Sequence, residues 1–126
     1  MMKCAIWNVN GTDYQLKMGV RQCVMLETKI GNPINLFLAA KKDILPALPQ
    51  MVTIITHGMI MYHPGVNEAK VHQLVDQWLD EGHAIIELLE VVTELLKVSR
   101  YFPEEKMEEE ILEELEMDVD ANPLAE

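Results

Sequence analysis

Met51-Val52-Thr53-Ile54-Ile55-Thr56-His57-Gly58-Met59-Ile60-Met61-Tyr62 decides how this 126-residue chain is read. The stretch is apolar nearly all round a helical circumference, broken only by Thr53, Thr56, His57 and Gly58. A helix without a polar face is one that other elements enclose. It is too short to cross ~30 Å of hydrocarbon, which takes about 20 apolar residues. The chain is therefore expected to be a soluble domain built around a buried helix.

Outward from this segment, the punctuation on both sides is clear. Asp43 to Pro49 contains two prolines, which places a bend before it, and His63-Pro64-Gly65 closes it. Further back, Asn32-Pro33 reads as a cap with proline at the first helical position, opening a short helix through Ile34, Leu36, Phe37 and Leu38. Val20 to Ile30 reads as another helix, with Val20, Cys23, Val24 and Leu26 inward and a stop at Gly31.

Before Gly19 the period is two. Ala5, Trp7 and Val9 alternate with polar neighbours, as do Tyr14, Leu16 and Met18 across Asn10-Gly11. Asn-Gly supplies the positive φ angles of a two-residue type I′ hairpin turn. Two strands alone are marginal, so the hairpin must rest on helices.

Downstream, Val71, Leu74, Val75, Trp78 and Leu79 fall at helical spacing, with Asn67 as cap and Gly82 just past the end. Ile85, Leu88, Leu89, Val92, Leu95 and Leu96 then form one stripe of a helix over Ala84–Val98. The short break between these two helices predicts an antiparallel pair. The expected fold class is mainly α: a helical domain with a small N-terminal β-hairpin over residues 1–102, and an acidic tail over 103–126.

Charge divides the chain in the same place. The net charge is −11. Residues 103–126 hold 11 acids and one lysine, a net of −10, which leaves −1 for the preceding 102 residues. Clustered Lys and Arg are what a phosphate-backbone binder needs, so no nucleic-acid partner is expected. The tail keeps an apolar pattern of Met107, Ile111, Leu112 and Leu115, while like charges at i and i+4 oppose an isolated helix. It is expected to be an amphipathic helix that forms only against a partner, in cis or from another subunit, or else to stay disordered. Met107, Ile111, Leu112 and Leu115 are thus the candidate self-association residues.

Motifs for chemistry are sparse. The six glycines never cluster into a phosphate-cradling loop, and the sole serine, Ser99, lacks a nucleophile elbow. His57, His63, His72 and His83 lie 6, 9 and 11 residues apart, spacings that do not put two ligands on adjacent helical turns. Two cysteines, Cys4 and Cys23, form no metal or redox motif and point to a reducing compartment. No basic segment leads into an apolar one at the start, so no secretory signal is expected. The chain is read as a non-enzyme without metal, cofactor or membrane partner. Its nine methionines are the unusual feature, serving either as flexible core filling or as an adaptable apolar surface.

The order of these segments resembles a known family. Asn10-Gly11-Thr12-Asp13-Tyr14-Gln15-Leu16-Lys17-Met18-Gly19 runs directly into a helix; Val71-His72-Gln73-Leu74-Val75-Asp76-Gln77-Trp78-Leu79-Asp80-Glu81-Gly82 and an apolar helix ending near Tyr101-Phe102 follow. Over residues 3–102 the arrangement is similar to the small tail assembly chaperones of long-tailed bacteriophages and prophages. That resemblance implies a helical, self-associating protein of the host cytoplasm that coats the apolar tape measure protein until tail tube subunits polymerise around it. It also implies absence from the finished virion and, in many such phages, a longer frameshifted form that recruits tube subunits. On this reading Met51, Ile55, Met59 and Tyr62 are expected to line an apolar groove for the partner. The alternatives are a small acidic regulator that mimics nucleic acid, and a helical structural tail subunit.

Overall fold

Asn10 and Gly11 take φ angles of 54° and 84°, the backbone of a type I′ turn. They join β1 (Ala5–Val9) to the antiparallel β2 (Thr12–Leu16), with Ala5 opposite Leu16 and Trp7 opposite Tyr14. The computed structural model describes residues 3–102. The five helices are α1 (Val20–Ile30), α2 (Ile34–Lys41), α3 (Leu48–Met59), α4 (Glu68–Asp80) and α5 (Leu88–Val98), the last entered through a 3₁₀ turn, Ile85–Glu87. None is long and apolar enough to cross a membrane.

The hairpin alternates as its sequence dictates. Ala5, Trp7, Val9, Leu16 and Met18 are buried and join one core with the helices. Trp7 meets Trp78 of α4 edge-on, with ring centroids 6.1 Å apart.

α3 is the hub. Every residue from Met51 to Met59 is buried, the polar ones included. Thr56 donates to the Val52 carbonyl and the His57 ring bonds the Thr53 carbonyl, so these groups are satisfied within the helix. Around α3 pack α1, α4, α5 and β2. The helix starts earlier than expected because Pro49 fits its first turn and Gln50 reaches back to accept the Ala47 N–H at 3.1 Å. It also ends earlier, since Tyr62 and His63 both turn their N–H groups onto the Met59 carbonyl. The Gly58 carbonyl is then left for the N–H of Lys17, at 2.8 Å.

Two expectations need correction. α4 and α5 do not form a helical pair with each other as their main contact; each packs on α3 and β1 instead. The all-round apolar surface of α3 offers both helices more to bury than either offers the other. In α1, Leu26 is fully buried and Cys23 half-buried, whereas Val20 and Val24 are 71% and 60% exposed. A helix that packs along one side buries a narrow stripe, and Val20 lies about a third of a turn from Leu26.

The tightest approach lies between α3 and α5. A β-carbon at Gly58 would lie 2.5 and 2.8 Å from the two methyl carbons of Leu95. Gly58→Ala should therefore overpack this contact and destabilise the fold by about 1–3 kcal/mol. Adding Leu95→Val should recover part of the loss, a coupling that urea denaturation of the two single variants and the double variant will measure.

Candidate functional site

The expected groove is not on the surface. Met51, Ile55 and Met59 are 3%, 0% and 1% exposed, and all three belong to the core around α3. Only Tyr62, on the turn after the helix, is half-buried. The physical reason is the one that marked the helix as enclosed: with apolar side chains all round, no face remains for a partner. Met107, Ile111, Leu112 and Leu115 lie outside the described residues.

Apolar surface is instead found in two other places. The first is the outer side of α5. Its inner stripe of Leu88, Val92, Leu95 and Leu96 is buried, while the 3₁₀ turn before it leaves Ile85 and Ile86 46% and 56% exposed. A groove of about 520 Å³ runs from there, lined by Ile86, Leu89, Glu90, Thr93 and Glu94. Thr93 donates to the Leu89 carbonyl at 2.7 Å, so its hydroxyl proton is already engaged. Lys97 is paired with Glu94 at 3.2 Å.

The second is a cleft of about 330 Å³ where α1 meets the end of α5, lined by Val20, Cys23, Glu27, Ser99, Arg100 and Tyr101. Its floor is built by hydrogen bonds. The Tyr101 hydroxyl donates to Glu27 at 2.9 Å, and the Ser99 hydroxyl accepts the Met18 N–H at 2.9 Å. Burial, with hydrogen bonds to Cys23 and Glu27, pushes the Tyr101 phenol well above its ordinary value. It therefore stays a neutral donor throughout the physiological range.

A few ionisable side chains of the body are held by their neighbours. His83 stacks on Trp78, centroids 4.1 Å apart and planes 7° apart, and its Nδ1 lies 3.0 Å from Glu87. That hydrogen bond, with help from the Ala84 N–H and from charge on His83, holds the Glu87 carboxyl below its ordinary value. Glu81 accepts the Asn10 N–H, tying the hairpin turn to the end of α4. His63 packs against Tyr14 and accepts the Gln15 N–H at 3.3 Å. Among the described residues, no group of three His, Cys, Asp or Glu is placed to hold a metal ion. What the surface offers chemically is apolar area edged by carboxylates on α5, and apolar area edged by Arg100 and Glu27 where α1 meets the end of α5.

Sequence reasoning missed both places. Ile86 sits one residue off the stripe that Ile85, Leu88 and Leu89 define, so its exposure depended on the path of the break after Gly82. The α1 cleft brings together residues 78 positions apart, Cys23 and Tyr101, which no local pattern announces.

Residues 3–124 match the model of a family described as a family of unknown function, DUF6096, and the chain belongs to that family. No curated protein and no solved structure matches it.

Removing the His83 ring should restore Glu87 to ordinary behaviour. In a carboxyl carbon NMR titration, Glu87 of the unaltered protein should titrate below its value in His83→Ala. The sign for stability follows. Glu87 is depressed in the folded state, so its contribution is present above the unfolded carboxyl's pKa and is lost as pH falls through the folded one.

Proposed function

We propose that this member of DUF6096 is a non-catalytic tail assembly chaperone of a long-tailed phage or prophage, holding the tape measure protein soluble in the host cytoplasm. The observation that carries the reading is the open apolar groove along α5, from Ile86 to Leu89 and edged by Glu90 and Glu94, with Ile85 exposed next to Ile86. A tape measure chain is a long amphipathic helix, and bare apolar helices aggregate. A holdase for such a chain needs a shallow apolar strip that accepts anchors at i, i+3, i+4 and i+7, without demanding one sequence. It also needs charge close by to keep the loaded complex in solution, which Glu87, Glu90 and Glu94 supply.

The arrangement of elements supports the same reading. The hairpin that leads directly into a helix, followed by the apolar helix ending near Tyr101-Phe102, is the order on which the resemblance to tail assembly chaperones rests. The described body carries a net of −1. A nucleic-acid mimic would need a continuous acidic face, and on α5 the carboxylates are interrupted by Ile86 and Leu89.

Co-expression with a long helical tape measure polypeptide tests the proposal. The expected result is a soluble complex with many copies of this protein on each partner. Ile85→Glu with Ile86→Glu changes only exposed side chains, so the variant should keep its circular dichroism spectrum and bind about tenfold more weakly. A partner that stays insoluble while the unaltered protein elutes alone would overturn the reading.

A further inference from the structure

We propose that residues 104–117 of this same chain dock along α1, seating the apolar stripe of Met107, Ile111, Leu112 and Leu115 on Val20, Cys23 and Val24. The surface is one the rest of the fold leaves uncovered. α1 packs on α3 through Leu26, and one turn of its other side exposes Val20 and Val24 together. The cleft beside them, between α1 and the end of α5, continues this apolar strip.

Tether, length and charge all select this occupant. Tyr101 lines the cleft, so residue 104 begins three residues beyond a side chain of the site itself, within about 10 Å at ~3.3–3.6 Å per residue. A segment tethered this closely meets the face at an effective concentration of about millimolar. Wound as a helix, 14 residues reach about 21 Å, enough to cover the roughly 16 Å of α1. The segment carries eight glutamates and one lysine. On α1 it meets Arg100 at the cleft, with Arg21 next to Val20 in the sequence, and the one carboxylate of the cleft, Glu27, already accepts the Tyr101 hydroxyl. The other exposed apolar groove is edged by Glu90 and Glu94, which repel the same segment. This inference does not depend on the identity of the protein's partner.

Cys23 lies in the cleft and reports its occupancy directly. In the full chain with Cys4→Ser, Cys23 is the sole thiol, and its alkylation by iodoacetamide, a neutral reagent, can be timed. Met107→Ser, Ile111→Ser and Leu115→Ser together remove the stripe while leaving the charge unchanged. If the docked form holds about nine-tenths of the population, the triple variant should react about tenfold faster, while the near-ultraviolet circular dichroism of Trp7 and Trp78, both buried in the body, stays unchanged. Equal rates would overturn the proposal. A rate in the unaltered tail that slows as protein concentration rises would also overturn it, because the covering segment would then come from a second copy.

Discussion

The fold depends on the closeness of α3 and α5 at Gly58. Leu95 fills the space where a side chain would stand, so the two helices approach within a methyl group of backbone contact. The Gly58 carbonyl accepts the Lys17 N–H, and one residue further along the chain the Met18 N–H is taken by the Ser99 hydroxyl at the end of α5. The exit of the hairpin is therefore fastened to two helices by adjacent amides. Each of these buried or half-buried donors would cost about 1–3 kcal/mol if left unpaired. A shift of α5 away from α3 would break the packing at Leu95 and misplace the Ser99 hydroxyl together. Packing and polar satisfaction therefore specify the same geometry.

From that fixed centre follows which surfaces remain. α3 is covered on all sides, so the apolar area left over must lie on the far faces of the helices that cover it. α5 turns Leu88, Val92, Leu95 and Leu96 inward and α1 turns Leu26 inward, leaving Ile86 and Leu89 on one and Val20 and Val24 on the other. Isolated exposed apolar residues are ordinary on any protein surface. Here Val20 and Val24 lie one helical turn apart, and Ile86 lies beside the half-buried Leu89, each next to a cleft, which is the arrangement that accepts another helix. The hairpin is locked as firmly as the helices. Trp7 and Trp78 meet edge-on, His83 stacks behind Trp78, and Glu81 holds the turn at Asn10.

Much of this was legible in the residues. The Asn10-Gly11 turn, the strand alternation, the Asn67 cap and the stop at Gly31 are all local rules, and each was obeyed. The enclosure of Met51 to Met59 was legible too, because an all-apolar circumference has a single stable solution in water. A groove along that same helix contradicts its enclosure, and the structure resolves the contradiction in favour of burial. What could not be read was which of two similar apolar stripes becomes core. Val20 and Val24 are spaced like Leu88 and Val92, yet only the latter pair has α3 against it. Periodicity fixes which residues share a face. Whether that face is covered depends on contacts between elements far apart in sequence, such as Tyr101 reaching Glu27 across 74 positions.

The two open faces differ in charge, and that difference does more than their apolar area to decide what each can hold. Burial of a few methyl groups is non-directional and would accept either occupant on either face. Carboxylates at Glu90 and Glu94 disfavour any acidic segment on α5, while Arg100 favours one at the α1 cleft, where Glu27 is already held by the Tyr101 hydroxyl. The chain's own acidic stretch is joined to the body beside the arginine-edged face. A groove stays free for an external helix only if the protein's own apolar segment is drawn elsewhere. Opposite edge charges on two otherwise similar strips are a simple means of keeping the two apart.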